Sequence, residues 1–177
     1  RGSKVRAPTR QTTKMLAALG ATPVGMPVTQ VPEALSKGVI DGTILPYEVM
    51  PALKVDELTK YHSGPDASQP MIYNSVFIIA MNKAKYDSLP PDLKKVIDAN
   101  SGIVLSAQIG RLFADIEVAN KQKIGGVVNV ISNEEIEEWK KVVQPVTDGW
   151  VQDANAKGAD GKALLKAAHD LIAKYSK

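Results

Sequence analysis

The sequence predicts an α/β fold: one α/β domain on a mostly parallel sheet, with a crossing strand and a long helix added to it. Three observations lead there. Short apolar strands alternate with short amphipathic helices over residues 4–45, the rhythm of a parallel sheet covered by helices. The apolar run from Met71 to Met81 is longer than a strand of a small sheet needs to be, and a strand of that length can pass from one sheet into another. Helical patterning then extends to about Lys123.

Taken in order, Lys4 to Pro8 reads as a strand. Thr9 is placed to cap a helix over about Gln11–Leu19, with Met15, Leu16 and Leu19 on its apolar stripe and Gly20 as its stop. Thr22–Met26 is a second strand. Thr29 is expected to cap a short helix that turns Val31 and Leu35 inward and ends at Gly38. Val39–Leu45 is a third strand, interrupted by Gly42, and Asp56–Tyr61 a further short helix. After the run 71–81, Asn82 caps a helical turn, and Pro91 suits the first position of the long helix, where Gly102 and Gly110 are weak points. Gly125-Gly126 breaks the chain before the strand Val127–Ile131. Ser132 and Glu135 form a capping box, Pro145 is expected to kink or interrupt the helix they open, and Asp160 starts the last helix.

Composition narrows the function classes. Hydrophobic residues make up 44% and charged residues 23% of 177, a globular balance, with few aromatics, so aliphatic side chains build the core. The net charge is +3, but lysines sit beside acids, as in Glu137-Glu138-Trp139-Lys140-Lys141. A nucleic-acid groove needs basic residues clustered without acidic neighbours, so no nucleic-acid partner is expected. Absence of cysteine removes disulfides, thiolate metal sites and thiol nucleophiles, and is compatible with an oxidising compartment. The apolar runs are too short to span a bilayer. The start Arg1-Gly2-Ser3 has neither an initiator Met nor a signal peptide, so a processed chain or a cloning remnant is expected, with something removed upstream.

The search for chemistry yields little that is catalytic. His62 and His169 are the two histidines, and neither HxxxH nor HxH spacing nor a nucleophile elbow accompanies them. No metal, no cofactor and no enzymatic activity is expected. Asp41-Gly42 reads as a turn; it lacks the further carboxylates of a calcium loop and the Gly-Lys-Ser/Thr of a phosphate loop. Arg6 is more informative, because it stands between Val5 and Ala7 in an apolar strand. Strands of a sheet covered on both faces read as apolar throughout. A guanidinium projecting past the strand's C-terminal end would enter the crevice where open α/β sheets bind ligands, and could hold a carboxylate through two parallel bonds. An exposed arginine on an edge strand, or one paired with an aspartate, fits the same residue, and composition alone favours these.

Read together, Lys4-Val5-Arg6-Ala7-Pro8-Thr9, then Leu19-Gly20-Ala21-Thr22-Pro23, then Gln30 to Gly42 with Ala34-Leu35 and Val39-Ile40-Asp41-Gly42, change that balance. The series resembles the dicarboxylate-type substrate-binding subunits of tripartite ATP-independent periplasmic (TRAP) transporters. Their pattern is K-x-R-x-P, L-G-A-x-P and E-V-x-x-A-L-x-x-G-x-V-D-G, and Leu89-Pro90-Pro91-Asp92-Leu93 matches their L-P-x-D-L. The similarity extends to the C-terminal helices around Trp150.

The resemblance implies a periplasmic solute-binding-protein-like fold: two α/β domains joined by crossing strands and a long helix, with ligand in the cleft between them. It implies a small organic acid as ligand, membrane subunits of a secondary transporter as partners, and a periplasmic location. The arginine of K-x-R-x-P grips the ligand carboxylate in that family, which assigns the role to Arg6. Thr9 lies near the ligand by the same correspondence, and Met26 and Val28 line the pocket. Where many members have D-G-x-E-N-P, with an asparagine on the ligand, this chain has Asp41-Gly42-Thr43-Ile44-Leu45-Pro46-Tyr47. Leu45 donates no hydrogen bond. Leu45 and Tyr47 therefore imply a ligand with an apolar or aromatic body instead of a sugar acid. The family's first domain precedes the K-x-R-x-P strand, so residues 1–75 and 124–177 correspond to the second ligand-binding domain, and 76–123 to a crossing strand and helices that contact the first. Such a fragment is expected to self-associate through its uncovered apolar helix. Two rival readings are an α/β enzyme with an undetected site and a self-associating interaction domain.

Overall fold

In a computed structural model, which describes residues 2–66 and 71–175, the chain forms two parallel sheets flanked by eight α-helices among those residues. Arg1, part of the expected processed start, lies outside them. In the first sheet, β1 (Lys4–Ala7) is central between β2 (Thr22–Gly25) and β3 (Gly42–Thr43), with Arg6 opposite Val24 on one side and Thr43 on the other. The expected third strand, 39–45, is shorter in the ladder. Ile40 turns fully into the core, and no described strand pairs with β3's outer edge.

Between β1 and β2, α1 (Arg10–Ala18) is closed at its start by a reciprocal Thr9–Thr12 box: the Thr12 amide donates to Thr9 Oγ1 at 3.1 Å and the Thr9 amide to Thr12 Oγ1 at 2.9 Å. Two orphan donors are thereby satisfied at once. Gly20, at φ 85°, makes the left-handed exit that the sequence expects. Thr29 does not cap α2 (Val31–Ser36). The chain enters it through a 3₁₀ turn, Val28–Gln30, so Thr29 lies inside that turn, and no side chain caps the helix. Val31, Ala34, Ile40, Met50 and Val55 form the core cluster, with Met26, Leu45, Tyr47 and Ile124 packed against it. A short α3 (Val55–Leu58) follows.

The second sheet pairs β4 (Tyr61–Pro65) with β5 (Val127–Ile131), so that His62 faces Val128. The sequence reading has no strand over 61–65, because Ser63, Gly64 and Pro65 carry no strand propensity; pairing with the Val-rich β5 supplies what propensity does not. Gly126 makes the approach possible. It adopts φ 105°, and a Cβ there would stand 2.8 Å from the Lys60 carbonyl and 3.0 Å from the His62 ring. Gly126→Ala is expected to destabilise the chain by roughly 1–3 kcal/mol through backbone strain and this clash. Urea unfolding checks it, and a change below about 0.5 kcal/mol would show that the turn relaxes freely.

The expected crossing strand, Met71 to Met81, is in neither sheet. Without a neighbouring edge its backbone makes no ladder, and its apolar side chains stand in solvent, with Val76 88% and Ile78 84% exposed. Among the described residues its one ring contact is Phe77, edge-on to Phe113 with centroids 6.0 Å apart. After α4 (Lys83–Asp87), capped by Asn82, the expected long helix divides into α5 (Pro91–Ala99) and α6 (Ile103–Lys123). Gly102, at φ 76°, makes the break, whereas Gly110 sits inside α6 without interrupting it. Ser132 caps α7 (Asn133–Ala156) by accepting from the Glu135 amide at 3.2 Å, without a reciprocal bond among the described ones. Pro145 does not interrupt α7, which runs through it. A proline removes a single amide donor, and α7 also packs on α1 and on α8 (Gly161–Tyr175). Asp160 starts α8 as expected, accepting from the Ala163 amide at 2.9 Å. No helix is long and apolar enough to cross a membrane among the described residues.

Candidate ligand-binding site

Parallel strands place the ends of β1, β2 and β3 on one edge, and Arg6 lies across it. Arg6 is 5% exposed. Nε donates to the Met26 carbonyl at 3.1 Å and Nη1 to the Ile44 carbonyl at 3.2 Å, so the segments that follow β2 and β3 each hold one side of the guanidinium. The two alternatives for Arg6 fail on these facts. β1 is the central strand of its sheet, and no acidic side chain pairs with Arg6 among the described residues. Burial pulls the guanidinium's pKa down from its usual value, with Tyr73 opposing, yet an arginine keeps its proton throughout the physiological range. A buried cation held only by carbonyl dipoles can gain much from an anion.

One wall of this edge is the ribbon 44–48. At one end the Ile44 carbonyl meets Arg6; at the other, the Glu48 amide donates to Glu117 Oε2 at 2.7 Å. Asn120 Nδ2 donates to the Tyr47 and Glu48 carbonyls, at 3.2 Å each. Glu117 and Asn120, three residues apart on α6, share one helix face and fasten the ribbon from outside the sheet. Between the ends, Leu45 and Tyr47 are half-buried against the core. The Tyr47 ring tilts by 40° to that of His62, 6.0 Å away. Tyr73 is the one residue of 71–82 that is not exposed. Burial raises its phenol's pKa while Arg6 pulls it down and Glu117 and Glu48 push it up, so it lies in the fields of both the cation and the acids. Burial likewise pushes the Glu117 carboxyl upward, and its bond from the Glu48 amide opposes the shift.

Of the residues singled out from sequence, Arg6 is bonded to Met26, and Met26, Leu45 and Tyr47 pack against one core cluster. Met26 contributes its carbonyl to Arg6 while packing against the core. Val28 lies two residues further on, half-buried at the start of the 3₁₀ turn. Thr9 commits its hydroxyl to the α1 cap. Sequence reasoning finds no titratable group beside Arg6, yet Tyr73 acts on it, and Tyr73 in turn lies in the fields of Glu48 and Glu117. The Glu117-x-x-Asn120 spacing on α6 is the one signal that could point to the last of these. A groove between β3 and β4 is lined by Leu45, Tyr47, Tyr61, His62, Ile72 and Trp139, so the same ribbon borders it. His62 is 7% exposed there, and its Nε2 has no hydrogen-bond partner among the described residues.

Residues 1–153 match the model of the bacterial extracellular solute-binding proteins, family 7. A C4-dicarboxylate-binding periplasmic protein of Rhodobacter capsulatus is 29% identical over 154 residues, covering 85% of this chain and 44% of its own. Among solved structures, a TRAP solute-binding protein of Rhodoferax ferrireducens T118, in complex with copurified benzoate, superposes with a TM-score of 0.91 at 47% identity, covering 99% of this chain and 56% of that one. A marine metagenome TRAP solute-binding protein specific for aromatic acid ligands, with 3-hydroxybenzoate, gives a TM-score of 0.89 at 46% identity, covering 100% and 56%. The chain thus spans about half the length of the proteins it matches.

Proposed function

The chain belongs to the bacterial extracellular solute-binding proteins, family 7, and from that premise we propose that it binds a small aromatic monocarboxylate at Arg6, in the periplasm, for delivery to the membrane subunits of a TRAP transporter. The observation that carries this is a buried guanidinium with no acidic partner among the described residues, bonded to the Ile44 carbonyl at the start of the segment that carries Leu45 and Tyr47. Arg6 supplies the bidentate fork for the carboxylate, and Met26, Val28, Leu45 and Tyr47 line the space for its body. Thr9 frames the edge through the α1 cap. Ligand is held and released without a covalent step, as suits a family of transport binding proteins.

Residues 1–75 and 124–177 form one ligand-binding domain in this reading. Residues 76–123 belong with the remainder of a protein of the relatives' full length, which closes the other side of the cleft. Aromatic acids on two relatives at 46–47% identity support the choice of ligand. So does the physics: burying a sugar acid against Leu45 leaves its hydroxyl groups unpaired, at a cost of roughly 1–3 kcal/mol each. In a thermal-shift screen of the full-length protein, benzoate and its hydroxylated forms are expected to raise the melting temperature, and hexuronic acids are not. The opposite pattern would overturn the ligand assignment.

A further inference from the structure

Resting on the carboxylate reading above, we propose that Glu117 of α6 sets the charge selectivity of the site, admitting monocarboxylates and rejecting ligands that carry a second anionic group. The geometry is that of the ribbon 44–48. Arg6 is bonded at its first residue and Glu117 at its last, at 3.2 Å and 2.7 Å. Four residues of chain span at most about 14 Å, so a cation and an acid face the same short wall from its two ends.

A carboxylate gripped by Arg6 would point its ring along Leu45 and Tyr47, toward α6. Whatever the far end of the ligand carries then approaches Glu117 and its neighbour Glu48. Glu117 forms no ion pair among the described residues, and it is half-buried, where salt screens a charge poorly. Tyr73, half-buried, lies in the fields of Arg6 and of Glu117. An uncharged ring end meets this wall without penalty. A second carboxylate meets like charge, and repulsion of that kind is how a site discriminates between ligands that its attractive contacts would both accept. Asn120 holds the same wall without charge, so fastening the ribbon does not by itself require an acid.

The test compares benzoate with isophthalate, the same ring bearing a second carboxylate, by calorimetry on the full-length protein. The unsubstituted protein is expected to prefer benzoate. In Glu117→Gln the amide oxygen still accepts from the Glu48 amide while the charge is gone, and the affinity ratio is expected to shift at least about tenfold toward isophthalate. Asn120→Ala loosens the ribbon but keeps the charge, and should move the ratio by less than about twofold. A ratio unchanged in Glu117→Gln, with benzoate still bound by the unsubstituted protein, overturns this inference alone. An equal shift in Asn120→Ala assigns selectivity to the wall's position and overturns it too. If the unsubstituted protein binds neither acid, the carboxylate reading falls and takes this inference with it.

Discussion

Arg6→Ala in the full-length protein is expected to weaken aromatic-acid binding by about 2–5 kcal/mol, because it strands a desolvated carboxylate with no partner. The size follows from how Arg6 is held. Two of its donors are spent on the Met26 and Ile44 carbonyls, which fixes the plane of the guanidinium and leaves the remaining N–H groups for the ligand. A positioned fork loses little freedom on binding, so most of its charge-assisted bond energy survives as affinity. Arg6→Lys should recover only part: an ammonium cannot donate to both carbonyls and still present two parallel bonds. The alanine variant has a structural cost as well, since two carbonyls lose their donor, so each titration needs a melting curve beside it. Near-normal affinity in both folded variants would remove Arg6 from the site.

How far the sequence could lead is clearest at Arg6 itself. A charged residue inside an apolar strand asks for a reason, since arginine is seldom fully buried, but composition alone leaves several open, and the K-x-R-x-P resemblance is what assigns the ligand role to it. Local signals also located α1, with its Thr9 cap and Gly20 exit, and β5, since capping and strand propensity act over a few residues. They failed where the decisive partner is distant. β4 depends on β5, more than sixty residues away, and nothing in Ser63-Gly64-Pro65 announces it. Glu117 and Asn120 reach Glu48 and Tyr47 across a separation of 69 to 73 residues. On the sequence they are two polar positions of a helix. Met71 to Met81 failed in the opposite sense. Its strand propensity is real, but a strand exists only beside another strand, and no described strand pairs with it.

That unpartnered segment leads to the second large effect. A cleft between two domains desolvates the ligand from both sides, whereas this chain supplies the Arg6 edge and its ribbon. With the other side open, the carboxylate contact is weakened by screening and must still offset the ligand's lost freedom. The 177-residue chain alone is therefore expected to bind the cognate acid at least about a hundredfold more weakly than the full-length protein, a difference of about 2.7 kcal/mol. The apolar surface that the remainder of such a protein would cover stays in water: Phe77 is 70% and Ile79 78% exposed, with Ile103 at 82% and Val104 at 64% on the first turn of α6. Exposed apolar surface of that kind drives association, and apolar surface on each copy is most simply covered by a symmetric pair. Sedimentation velocity over a concentration series should show a monomer–dimer equilibrium for the isolated chain and a monomer for the full-length protein. Phe77→Asp, which places a charge where the 71–82 segment rests on α6 at Phe113, should shift the isolated chain toward monomer without touching Arg6. A monomeric isolated chain that holds its acid as tightly as the full-length protein would mean that the whole site lies within these residues, and that nothing from outside them closes over it.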